Sequence, residues 1–269
     1  DDKPLNVLFF MSDDLRPDLG CYGNPLVSSP NIDALAKAGV RFERAYVQFP
    51  LCNPSRTSLL TGRYPTMTGV IDNQRWFGGE HPDWVSLPRF FKDHGYAALR
   101  TGKCFHGGID DADAWTEGGE PRKFEGSIAP RPNRTNRAQN SDRVIQLNGD
   151  GEEHADYRTA NRAIEYLQAH QEQPFFLVCG FTKPHSPPTA PQKYFEHYAK
   201  VDVPLPPDFA ATPAAPEGFP KASITPNGDL FVNREASREA AQDMIRAYWA
   251  SVTWMDWNLG RVLGELDRL

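Results

Sequence analysis

The sequence predicts an α/β fold, a largely parallel central sheet with helices on both faces. Three observations point there. Two short apolar runs, 6–12 (NVLFFMS) and 174–181 (PFFLVCGF), lack polar alternation, which suits strands covered on both sides. Stretches with helical spacing fall around them, at 156–171 and 236–269. Both apolar runs end in chemically active side chains, Asp13-Asp14 and Lys183-Pro184-His185, at the strand edge where open α/β sheets place ligands. A chain of 269 residues is long enough to bury a substantial core as one domain, 1–269.

Taken in order, the first strand leads to Ser28-Ser29-Pro30, which opens a helix over 31–38 stopped by Gly39. The alternation of 40–47 predicts a second strand. Pro54 suits the first turn of a helix running to Thr61 and capped by Gly62. That places Cys52 at a helix amino terminus, where free N–H groups and the dipole favour an anion. A helix from Ser86-Leu87-Pro88 to His94 precedes a strand over 96–101, which runs into Gly102-Lys103-Cys104-Phe105-His106. Residues 107–150 are polar and aperiodic and read as a long surface insertion. Ten prolines between Pro184 and Pro220 predict an extended, loop-rich excursion. In the last helix, Ile245, Tyr248, Val252, Met255, Leu259, Val262 and Leu266 recur at spacings of three and four.

Composition narrows the function classes. With 29 Lys and Arg against 35 Asp and Glu, the net charge of −6 argues against a nucleic-acid partner but leaves room for a local cationic site. No apolar stretch reaches the length of a membrane span. The polar start, Asp1-Asp2-Lys3-Pro4, lacks the apolar core of a secretory signal. Four scattered cysteines form neither a disulfide framework nor a zinc-like pair.

Three strand ends deliver Asp13 and Asp14, Lys103 and His106, then Lys183 and His185, while a fourth segment supplies Cys52 and Arg56. Adjacent carboxylates suit a hard divalent cation, calcium or magnesium, although such a pair alone is more often a solvated turn. Cys52 alone reads as an inert small hydrophobe or as a thiolate activated by the helix terminus. Against both stands the pattern Cys52-x-Pro54-Ser55-Arg56-x-x-x-Leu60-Thr61-Gly62-Arg63.

That pattern resembles the type I sulfatases of the alkaline phosphatase superfamily. The likeness continues through 13–23 (DDLRPDLGCYG), 29–33 (SPNID), 102–106 (GKCFH) and 183–185 (KPH), which are most similar to the iduronate-2-sulfatase subgroup. The resemblance implies an alkaline phosphatase-like sandwich and oxidation of Cys52 to Cα-formylglycine by a maturation enzyme. It implies calcium, rather than magnesium, held by Asp13, Asp14 and the modified Cys52. One hydroxyl of the hydrated aldehyde, polarised by the metal and Arg56, would attack sulfur. His185 would be the general acid, His106 the base, and Lys103 with Lys183 would neutralise sulfate oxygens. Asn73 and Trp76 follow the active-site helix near the expected pocket mouth and are candidates to face the sugar, although core packing accounts for Trp76 equally well; Arg63 would brace the active-site helix. The implied substrate is a sulfated sugar, for instance a uronate 2-sulfate of a glycosaminoglycan or algal polysaccharide. A phosphodiesterase or phosphonate monoester hydrolase of the same superfamily, or a sulfoglycan-binding pseudoenzyme, is the alternative. Secreted, periplasmic or lysosomal placement follows from the resemblance alone. The family's metal site has a second half, an Asp followed by Asn or His on a later strand, with no counterpart here. The chain is therefore expected to be the amino-terminal part of a longer enzyme, partnered by a carboxy-terminal portion.

Overall fold

The computed structural model describes residues 4–124, 126–129, 143–212, 214–220 and 237–269. The elements are β1 (Val7–Asp13), α1 (Pro30–Ala38), α2 (Cys52–Thr61), α3 (Pro65–Thr68), α4 (Leu87–Asp93), β2 (Ala97–Gly102), β3 (Ile145–Leu147), α5 (Ala155–Ala169), β4 (Phe175–Pro184), β5 (Thr189–Pro191), α6 (Gln192–Tyr198) and α7 (Arg238–Arg268). Among the described residues the main sheet has three strands in the order β1-β4-β2, all parallel, with Val7 opposite Phe176 and Gly102 opposite Gly180. A small parallel pair, β3 with β5, stands apart from it.

The unbroken apolar run of β4 is explained by its central place. Phe175, Leu177, Cys179 and Phe181 face a core made with Ala160, Ala163 and Leu167 of α5 and Met255, Leu259 and Val262 of α7. Phe176 and Val178 face the opposite core, with Leu60 of α2, Phe105 and Trp115. Burying each such large side chain contributes roughly 1.5–3 kcal/mol. Helices thus cover both faces, as the sequence predicts. A third cluster joins α6 to α7 around Trp249, Trp254 and Tyr198.

Four predicted features change, the first being the surface insertion over 107–150: Ile109, Ala114 and Trp115 are buried, Trp115 in the core with Phe176, and Ile145–Leu147 form β3. The segment 40–47 makes no strand ladder with any described residue, and Val40, Phe42, Tyr46 and Val47 are exposed. Alternation specifies a face but supplies no neighbour to pair with. Helix α2 begins at Cys52 rather than at Pro54, because Asn73 Oδ1 accepts from the Asn53 N–H at 3.0 Å and satisfies an end that the local sequence leaves open. The proline-rich stretch contains β5 and α6, fixed by burial of Tyr198, whose hydroxyl bonds Thr253 Oγ1 at 2.6 Å and accepts from the Ser28 N–H at 2.9 Å. Part of the predicted insertion, 125 and 130–142, and residue 236 of the predicted last helix lie outside the described residues.

Candidate active site

The three parallel strands end at one edge, and that edge carries the polar groups. Gly102 closes β2 with φ of +73°, and a side chain there would run into the Gly180 carbonyl and Thr159. The close packing of β2 against β4 brings Lys103 beside the end of β1. There Lys103 Nζ bonds Asp13 Oδ2, while Arg56 Nη2 lies 3.3 Å from Asp13 Oδ1. Asp13 is 5% exposed. Burial pushes its carboxyl up, but Lys103 and Arg56 together outweigh burial and hold it below the usual carboxylate value.

Cys52 Sγ faces the same carboxylate, 3.7 Å from Oδ1 and 4.0 Å from Oδ2. Its helix is anchored from beneath by buried Asn53, whose amide donates to the carbonyls of Asp72 and Arg75 at 2.9 and 2.6 Å. Arg56, also buried, donates through Nη1 to the carbonyls of Lys103 and Cys104 at 2.6 and 2.8 Å. One guanidinium therefore ties α2 to the end of β2 and balances Asp13.

His185 closes the far side. Its Nδ1 lies 2.6 Å from the Ser186 carbonyl, and Nε2 is 3.6 Å from Asp14 Oδ2. Hydrogen bonding to Cys52 is the main reason its pKa is pushed up, to about 8, against the opposing effect of burial; Ser186, Asp14 and Asp13 add to the rise. Asp14 sits in the left-handed region at φ 59°, its carbonyl accepting from Tyr248 Oη at 2.9 Å. Ligand atoms of Asp13, Cys52 and His185 all lie within 4.8 Å of one another, a group able to hold a metal ion. A cleft of about 740 Å³ opens over them, lined also by Asp14, Arg56 and Asn73.

The other sequence candidates are placed differently. Lys183 is buried, with Nζ bonded to the carbonyls of His185 and Pro187. Burial draws its ammonium below the usual value, against Asp156 and Asp13. His106 is half-buried on the turn after Lys103, its carbonyl accepting from Ile109, and is not among the residues lining the cleft. Trp76 lies under the Arg122 guanidinium at 3.3 Å and lines a different cleft with Trp84 and Asp111. Arg63 stacks on Trp84 at 4.2 Å. Sequence reasoning missed Asp156 and Tyr248, which act on the backbone around the site. An acidic residue in the first turn of α5 was a visible signal for the former, but only as a helix-end charge.

Comparison with known proteins gives one consistent neighbourhood. A family model described as Sulfatase matches residues 5–269. Human iduronate 2-sulfatase is 31% identical over 98% of this chain and 52% of its own length. A sulfatase of Formosa agariphila is 31% identical over 98% of this chain and 55% of its own. The phosphonate monoester hydrolase of Agrobacterium radiobacter shares the fold with a TM-score of 0.70, at 21% identity, over 98% of this chain and 59% of its own. The chain thus spans about half the length of the relatives it matches. No helix among the described residues is long and apolar enough to cross a membrane.

Proposed function

Because the chain belongs to the sulfatase family, we propose that it forms the nucleophile-bearing half of an enzyme that hydrolyses a sulfate ester on a sulfated sugar. The observation that carries this reading is the placement of Cys52 at the first residue of α2, beside a buried carboxylate flanked by Arg56 and Lys103 and opposite His185. The likeness to iduronate 2-sulfatase favours a uronate 2-sulfate of a glycosaminoglycan or algal polysaccharide.

The residues present fit a divalent cation on one side. Asp13 and Asp14 offer oxygen donors at the strand edge, and Cys52 Sγ stands where an oxygen of the modified residue would be. Calcium is the cation that the family resemblance implies here. When bound, the cation and the formylglycine made from Cys52 supply Lewis acidity and a hydrated aldehyde oxygen as nucleophile. The rest falls to the chain's own side chains. Arg56 and Lys103 place positive charge where sulfate oxygens gain negative charge. His185, whose ring faces position 52, gives its proton to the leaving sugar oxygen. The family resemblance assigns the base to His106, which stands on the turn after Lys103 outside the residues lining the cleft, and Asn73 contacts the sugar from the cleft wall. Trp76 receives no role, since it belongs to another cleft.

Polypeptide beyond this half would pack on the exposed apolar segment 40–51 and bring the remaining oxygen ligands. Maturation of Cys52 implies contact with a formylglycine-generating enzyme, and the family resemblance implies a secreted, periplasmic or lysosomal setting. The test uses the full matured protein. The peptide containing Cys52 should be lighter by about 18 Da, and Cys52→Ala should lower turnover of a sulfated oligosaccharide by about a thousandfold or more. Faster turnover of an aryl phosphodiester than of an aryl sulfate would overturn the assignment, as would an unmodified thiol in protein from a maturation-competent host.

A further inference from the structure

The lysine beside the candidate acid does not point its charge at the cleft. An ammonium has three N–H donors. Those of Lys183 meet the His185 carbonyl at 2.8 Å, the Pro187 carbonyl at 3.0 Å and Thr189 Oγ1 at 3.4 Å. The side chain is thus engaged inside the turn that follows β4, with 5% of the residue exposed.

The backbone on the other side of Lys183 is held by a second buried charge. Asp156 of α5 is 0% exposed. Its Oδ1 accepts from the Thr182 N–H at 2.9 Å and from Thr182 Oγ1 at 2.8 Å, and its Oδ2 accepts from the Lys183 N–H at 2.8 Å. The far end of the turn is clamped by α7, where Ser251 Oγ accepts from the Thr189 N–H at 2.7 Å and donates to the Thr189 carbonyl at 3.1 Å. His185 Nδ1 in turn donates to the Ser186 carbonyl, which leaves Nε2 as the ring atom facing Asp14 and Cys52.

We propose that Lys183 and Asp156 are positioning residues, a buried strut that fixes residues 182–189 and thereby aims His185 at position 52, and that Lys183 does not bind the sulfate group. The function assigned to the aim rests on the sulfatase reading above; the strut itself does not. A buried carboxylate accepting three hydrogen bonds and a buried ammonium donating three are costly to leave unpaired, so the turn has one well-determined arrangement. Displacing the acid by even an ångström is enough to lose much of its contribution.

Two measurements on the full matured protein separate these claims. In Lys183→Met, hydrogen exchange at the amides of His185 and Thr189 should quicken about tenfold while the α7 core amides hold. Unchanged exchange would overturn the strut. In steady-state kinetics the same variant, and Asp156→Asn, should each lose about 10- to 100-fold in kcat. KM and the inhibition constant of inorganic sulfate should stay within about twofold. The double variant should lose little more than the worse single one, because both act through the same turn. A preserved kcat with sulfate inhibition weakened about tenfold would make Lys183 a sulfate ligand and overturn the proposal. Fully additive losses would overturn it as well. Should either variant fail to fold, Thr189→Val removes one acceptor of the strut and should lower kcat about threefold with sulfate inhibition unchanged; a weakened sulfate inhibition there would again count against the strut. A wild-type protein that turns over no sulfate ester, yet shows the exchange effect, would end the sulfatase reading and leave the strut standing.

Discussion

The two walls of the cleft are built on opposite terms. On the sheet side, Asp13, Arg56 and Lys103 form a charged cluster in which the first two are almost wholly buried, and Arg56 also satisfies two carbonyls. On the other side, Val47 is 61% exposed and Leu51 37% exposed, and the segment that carries them pairs with no described strand. One wall is preorganised by interlocking hydrogen bonds that need nothing further from the cleft. The other carries the apolar alternation of a strand without a neighbour. Catalytic groups require the first kind of setting, since charges aimed at a transition state are effective only when they need not rearrange.

The contrast breaks most visibly at Arg56. Arg56→Ala removes one of the two cations that balance the buried Asp13, leaving Lys103 as the other, and leaves the Lys103 and Cys104 carbonyls short of a donor. A loss of about 3 kcal/mol in unfolding free energy is expected from two buried carbonyls left without a donor and a carboxylate left with one cation instead of two. Chemical denaturation at neutral pH measures it; a loss below about 1 kcal/mol would mean that the sheet-side wall is as loosely held as the other. Because the Asp13 carboxyl is held below its ordinary value, its share of the stability is present above that value and falls away as pH drops through the folded-state pKa.

Much of the sheet-side wall was legible in the sequence. The runs at 6–12 and 174–181 mark strands covered on both faces, and a parallel sheet fixes that Asp13, Lys103 and His185 emerge at one edge. What was not legible depends on distance in the chain. The start of α2 at Cys52 depends on Asn73, twenty positions beyond the Asn53 amide it accepts from, and the register of His185 depends on Asp156 and Ser251. Local patterning reports which face of an element is apolar, and it does not report which distant side chain completes the element's end. The segment 40–47 fails for the complementary reason: its pattern is that of a strand, but pairing needs a second strand that no local signal provides.

A second test concerns the link between the walls. In the chain carrying an unmodified Cys52, His185 should titrate near 8, against an ordinary value of 6.5. Its raised pKa contributes stability that is complete below 6.5 and lost as pH rises through about 8. Since hydrogen bonding to Cys52 is the largest cause, Cys52→Ala should move the titration downward, toward 6.5, and Asp14→Asn should move it less. Imidazole resonances followed across the pH range read both. An unchanged titration in Cys52→Ala would show that His185 and position 52 do not meet.

A smaller effect is expected at Tyr248, which bridges α7 to the turn after β1. Its hydroxyl donates to the Asp14 carbonyl at 2.9 Å and accepts from the Arg16 N–H at 2.8 Å. Tyr248→Phe keeps the ring and loses both bonds, a destabilisation of about 1 kcal/mol. Exchange of the Arg16 amide should quicken at the same time. Stability and exchange both unchanged would mean that the left-handed Asp14 is held by its own carboxylate contacts alone.

The smallest effect belongs to the exposed wall and bears most directly on the comparison. Phe42 is 70% exposed and Tyr46 78% exposed, so neither gains much from folding in this arrangement. The paired substitution Phe42→Ser with Tyr46→Ser should therefore change the unfolding free energy of the chain by no more than about 0.5 kcal/mol. Self-association, followed by light scattering, should fall, because a long exposed apolar segment without strand partners is a template for contact between copies. A destabilisation of about 2 kcal/mol or more would instead mean that these side chains are packed in solution. The second wall would then be a built surface like the first, and the cleft would have two preorganised sides rather than one.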